Sequence, residues 1–158
     1  MKIWYKQLGF RFNPFTIKPG LYSDELIGYA NVIDELESFV RRGGVGILRG
    51  KFGSGKTTIL QSVISAFAGR RKVIYFGCHR LSDELDVERL LHRRFGALGE
   101  LFKLKTKNMI LLLDEAQYLK DKDIDNILAH HKKGFFKTVL FVTHDHDTIN
   151  VDGDIFEL

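Results

Sequence analysis

Val45-Gly46-Ile47-Leu48-Arg49-Gly50-Lys51-Phe52-Gly53-Ser54-Gly55-Lys56-Thr57-Thr58-Ile59-Leu60 is the stretch whose reading decides the fold. A short apolar run, Val45-Gly46-Ile47-Leu48, has the length and composition of a buried strand. After the glycine loop, apolar residues recur at helical spacing through Ile59, Leu60, Val63 and Ile64. Between them Gly50 to Thr57 spells G-x-x-x-x-G-K-T. Strand, glycine loop and helix in that order make an anion cradle. Glycines let consecutive backbone N–H groups curl around an anion, and the helix N-terminus adds the positive end of its dipole. In such a cradle the backbone of Gly50, Lys51, Phe52, Gly53, Ser54, Gly55 and Thr58 surrounds the phosphates of a nucleotide. Lys56 reaches the β- and γ-phosphates, and the Thr57 hydroxyl holds Mg²⁺. The alternative is a glycine-rich turn with a surface lysine, which the flanking strand and helix patterns disfavour.

A second apolar run, Met109-Ile110-Leu111-Leu112-Leu113, ends in Asp114-Glu115. An unbroken apolar strand is expected where both faces of a sheet are covered, and its two carboxylates then stand at the carboxyl end. Asp114 is the candidate for the Mg²⁺ shell, and Glu115 for the general base that polarises an attacking water. An ordinary solvated turn is the competing reading of the pair. A third run, Thr138-Val139-Leu140-Phe141-Val142, leads into Thr143-His144. In a parallel sheet this strand is expected beside the Asp114 strand or the loop strand. Thr143 would then position the attacking water and His144 would sense the γ-phosphate. The competing readings are a strand-end cap for Thr143 and an exposed loop histidine for His144. His144, Asp145, His146 and Asp147 also suggest a metal site, but no third ligand is placed by the sequence.

Outward from these motifs, Val32, Ile33, Leu36, Phe39 and Val40 share one face of a helix that Asn31 is expected to cap and Gly43-Gly44 to end. Val73-Ile74-Tyr75-Phe76 reads as a second buried strand after the basic turn Arg70-Arg71-Lys72. Residues 83–95 read as a helix with Leu85, Leu90 and Leu91 inward, and residues 100–104 as a short one. Ile124, Ile127 and Leu128 mark another helix ending near His130-His131-Lys132-Lys133-Gly134, and residues 154–158 a last, edge strand. Alternating strands and helices mean a three-layer α/β/α sandwich on a mostly parallel five-stranded sheet, with the site at the strands' carboxyl ends.

The 158 residues suit one domain, and 44% hydrophobic residues suffice for a core. Residues 1–107 hold 19 Lys and Arg against 10 Asp and Glu, whereas residues 108–158 hold 5 against 10. Such a basic surface suits nucleic acid or an acidic partner, or is a solvated face. No apolar run approaches a membrane span and no signal peptide is visible. The lone Cys78 excludes an internal disulfide and fits a reducing, cytoplasmic setting.

On these residues the chain resembles the AAA+ ATPases of the additional-strand class, a P-loop NTPase fold. The likeness is to the small bacterial and archaeal branch with ExeA-type, transposition-helper and origin-recognition members. Leu8-Gly9-Phe10 with Asn13-Pro14-Phe15 is similar to that branch's opening, and Leu26-Ile27-Gly28-Tyr29 to the segment flanking the adenine. The resemblance implies ATP and Mg²⁺ as ligands, Ile27 and Gly28 at the base, and a sensor at Thr143. It also implies an approach segment over residues 1–30 beside the nucleotide. The guanine-specific Asn-Lys-x-Asp motif is absent, since Lys107-Asn108-Met109 does not match it. The chain departs from the family in carrying no helical lid, and no arginine follows the sensor strand. A second copy or a partner protein is therefore expected to donate an arginine finger, with Arg93 and Arg94 as candidates in this chain. Val139-Leu140-Phe141-Val142-Thr143-His144-Asp145 is also similar to the histidine switch of ABC-type ATPases, whose serine-glycine signature is missing.

Overall fold

The computed structural model describes residues 28–67, 73–78, 85, 87, 107–147 and 149–158. Its elements run α1 (Ala30–Arg42), β1 (Gly44–Arg49), α2 (Lys56–Phe67), β2 (Val73–Gly77) and β3 (Met109–Asp114). A 3₁₀ turn (Ala116–Tyr118), α3 (Asp121–Lys132), β4 (Phe136–Thr143) and β5 (Asp154–Glu157) follow. The expected approach segment, Ile27, the helices at 83–95 and 100–104, and Arg93 and Arg94 lie outside the described residues.

Five strands form one sheet in the order β2-β3-β4-β1-β5, and every neighbouring pair is parallel. Among the described residues the sheet is parallel throughout, in keeping with the mostly parallel five-stranded sheet expected. The strand carrying Thr143 lies beside both the Asp114 strand and the loop strand, inserted between them. Register then aligns Arg49 with Thr143, and Gly77 with Asp114. The strand ends carrying Arg49, Thr143, Asp114 and Gly77 share one rim. β5 is the edge strand that its position in the sequence suggests.

Alternation along the strands sorts the core into two layers. Ile110, Leu112, Leu140, Val142, Leu48 and Phe156 pack with Leu36, Phe39 and Val40 of α1 and Ile59, Leu60, Val63 and Phe67 of α2. Met109, Leu111, Leu113, Val139, Phe141 and Ile47 face Ile124 and Ile127 of α3, together with Cys78, Leu85 and Val87. All six residues of β3 are buried, which is why its run is apolar without alternation.

Helix α1 begins one residue before the expected cap. Tyr29 occupies the N-cap with no side-chain hydrogen bond, and Asn31 lies inside the first turn. Gly43 ends it at φ 91°, donating its N–H to Phe39 O, a left-handed stop that glycine makes at little cost. At the start of α3 the buried Asp123 accepts from the N–H of Lys120 and, through its other oxygen, from the N–H of Leu85.

Candidate nucleotide site

The loop between β1 and α2 owes its shape to its glycines. Gly53 and Gly55 adopt φ 77° and 87°, where an L side chain is strained. At Gly50 a Cβ would lie 2.7 Å from Ser54 Oγ and 2.9 Å from Leu158 Cβ, so the loop closes tightly against the end of β5. Leu158 is tied there by its N–H to Arg49 O at 2.9 Å. Helix α2 starts at Lys56, and its first N–H groups have no partner within the helix. Phe52 stands at the loop tip, 89% exposed, with its ring 5.7 Å from that of His144.

The ammonium of Lys56 is buried against its own loop. Nζ donates to Gly50 O at 2.7 Å and Lys51 O at 2.8 Å, and lies 3.4 Å from His144 Nδ1. The next residue reaches the second motif. Thr57 Oγ1 donates to Asp114 Oδ2 at 3.0 Å, joining residues 57 positions apart. The hydroxyl of Tyr75, from β2, donates to the same oxygen at 2.8 Å. Burial, then the hydrogen bond and charge of Asp114, raise the Tyr75 phenol well above its ordinary range. Asp114 Oδ1 accepts the N–H of Glu115 at 3.1 Å.

Glu115 turns the chain out of β3 with φ 57°, one of two described non-glycine residues at positive φ. Its Oε2 accepts from Gln117 Nε2 and lies 3.2 Å from His144 Nε2. Thr143 is buried, and its Oγ1 has no hydrogen-bond partner among the described residues.

The sequence-derived residues therefore converge. Lys56, Thr57, Asp114, Glu115 and His144 are joined by hydrogen-bond contacts, and Thr143 aligns with Arg49 next to the loop. Gly28 is exposed ahead of α1, and a Cβ there would meet nothing within 4 Å. Tyr75 and Gln117 escaped the sequence reading. Tyr75 looked like one apolar residue of a strand, and Gln117 a polar residue after a motif. Only the Asp114-Glu115 pair they serve could have drawn attention to them. His144-Asp145-His146-Asp147 forms a turn, with Asp147 N–H on His144 O. Among the described residues no group of three His, Cys, Asp or Glu side chains is placed to hold a metal.

The residues fit a magnesium nucleotide. Thr57 and Asp114 bring hydroxyl and carboxylate oxygens together, the hard donors that Mg²⁺ takes. The unpartnered Thr143 hydroxyl keeps its hydrogen-bonding capacity for a ligand at the same rim.

No protein-family model matches the chain, and no curated protein matches it. Solved structures share its fold. Cdc6p from Pyrobaculum aerophilum matches with a TM-score of 0.61 at 16% identity, over 92% of this chain and 47% of its own. AMPPCP-bound DnaA from Aquifex aeolicus matches at 0.51 and 21% identity, over 80% of this chain and 44% of its own. Rhizobiales Trip13 gives 0.56 and 18%, over 89% and 66%. The chain spans less than half the length of the Cdc6p and DnaA structures. Its architecture is the three-layer P-loop NTPase fold that these structures share.

Proposed function

We propose that this chain is a Mg²⁺-dependent, ATP-binding and ATP-hydrolysing domain of AAA+ type, a switch or motor subunit of a cytoplasmic DNA-transaction complex. One observation carries the reading: the 3.0 Å hydrogen bond from Thr57 to Asp114, which brings the glycine loop and the acidic strand end to one point. The loop backbone and Lys56 bind the phosphates, while Thr57 and Asp114 hold the metal. Bound Mg²⁺ supplies charge neutralisation at the β- and γ-phosphate oxygens. Glu115 accepts a proton from the attacking water at a carboxylate oxygen. Thr143 orients that water with its unpartnered hydroxyl, and His144 reads the γ-phosphate through the ammonium of Lys56, which its Nδ1 meets. Positioning and charge stabilisation then account for the rate.

The AMPPCP in DnaA supports a nucleotide ligand. A further match, a DNA replication initiation factor with a TM-score of 0.53 at 21% identity, over 81% of this chain and 44% of its own, supports the DNA setting. The choice of ATP, with Ile27 and Gly28 near the base, follows the family resemblance. Residues 1–158 form one ATPase domain, approached by residues 1–30. Residues 108–158 contain no arginine, so we assign the finger to Arg93 or Arg94 of a second copy, or to a partner protein.

Phosphate release measured with and without Mg²⁺ tests this. Lys56→Ala is expected to lose nucleotide binding, and Glu115→Gln to bind but not turn over. Hydrolysis at the wild-type rate by Glu115→Gln would remove the base assignment. The same absence of arginine favours a second reading, a nucleotide-gated interaction module with little hydrolysis. Turnover per chain that rises with chain concentration supports the trans-completed enzyme, and negligible turnover at every concentration supports the module.

A further inference from the structure

The carboxylate of Glu115 is held on one side only. Gln117 Nε2 and His144 Nε2 both meet Oε2, and no described residue donates to Oε1. The imidazole's proton can be placed from its partners. Lys56 Nζ is a donor with no acceptor capacity, and it faces Nδ1 at 3.4 Å. Nδ1 is therefore the acceptor and Nε2 carries the proton that faces Glu115. One neutral tautomer satisfies both contacts. Gln117 is oriented with similar economy. Its Nε2 points to Glu115 while its Oε1 is buried with no partner among the described residues. Leaving a buried amide oxygen unpaired is unfavourable, so this orientation is set by the carboxylate. Glu115 itself sits at φ 57°, a left-handed conformation that is unfavourable for a non-glycine residue and needs surrounding contacts to persist.

We propose that Gln117 and His144 form a two-donor clamp that positions Glu115, saturating Oε2 so that Oε1 alone faces the attacking water. Lys56 completes the chain, which links the phosphate-binding lysine to the base through a single imidazole. Gln117 is a positioning residue, because it acts through Glu115. The proposal rests on the reading of Glu115 as the base.

Gln117→Met tests it, since methionine keeps the length and bulk of the side chain and removes the donor. The expected result is a fall in kcat of about ten-fold, with affinity for a non-hydrolysable ATP analogue within about two-fold of wild type. Gln117→Met turning over like wild type would overturn the clamp. A second measurement needs no turnover. Imidazole ¹⁵N NMR of the nucleotide-free protein is expected to show His144 neutral with its proton on Nε2, and a mixture of tautomers in Glu115→Ala. A proton on Nδ1 in the wild type would overturn the clamp. Wild-type protein without Glu115-dependent hydrolysis would instead remove the ATPase reading, leaving the tautomer to decide the clamp.

Discussion

Among the described residues Asp114 accepts three hydrogen bonds, from Thr57, Tyr75 and the N–H of Glu115. Two of these donors come from other elements, so the carboxylate is the point at which the loop, β2 and β3 are registered to one another. Its charge reaches further. Cys78, buried one residue beyond β2, has its thiol pushed up from 9.0 to about 12, first by burial and then by Asp114, Asp123 and Glu115. A thiol raised in the folded state favours the folded form while it stays protonated. That stabilisation is complete below about pH 9 and lost as pH rises toward 12. We expect Cys78 to resist alkylation at pH 8 in the folded protein and to react fully once unfolded. Rapid labelling of native protein, followed by mass spectrometry, would contradict its burial. The Asp114-Glu115 pair was legible from its place after an apolar run. Tyr75 was not, because its role depends on which strand lies beside β3.

Among the elements, β4 best separates what was readable from what was not. The sequence pattern starts it at Thr138, yet the strand begins at Phe136. Lys137 interrupts the apolar run but lies over Gly43 and donates from Nζ to Arg41 O. A register shift at Met109 and Ile110 lets Phe136 and Thr138 face opposite layers despite their even spacing. Such a bulge has no signature in the apolar pattern alone. The edge strand β5 hangs on four register positions with β1, the packing of Phe156 on Phe39, and the ion pair of Arg42 with Asp154. Gly153 admits it to the sheet. A Cβ there would lie 2.4 Å from Val45 O and 2.9 Å from Val45 C, both backbone atoms that no rotamer change can move. Gly153→Ala should therefore destabilise the protein by about 1–3 kcal/mol in chemical denaturation. Unchanged stability would mean that β5 is not docked along β1 as described.

For the molecule as a whole, part of the basic excess of residues 1–107 has a local cause. Arg41 and Arg42 lie in the last turn of α1, where cations complement the helix dipole. The remaining excess is the charge on which the proposed nucleic-acid contact would draw. Duplex-DNA affinity, followed by fluorescence anisotropy, is expected to fall at least ~10-fold between roughly 50 and 200 mM salt. Undetectable binding at low salt would remove nucleic acid from the proposal. The described helices include none long and apolar enough to cross a membrane. By itself the sequence determined the α/β class, the glycine loop between β1 and α2, and the acidic end of β3. Those features follow from local causes: side-chain periodicity, glycine's backbone freedom and the length of apolar runs. Only the tertiary structure decided that β4 lies between β1 and β3, that Tyr75 reaches Asp114, and that Gln117 and His144 meet on one oxygen of Glu115. Strand pairing and those contacts join residues distant along the chain, where hydrogen-bond geometry and packing, not local pattern, select the neighbour.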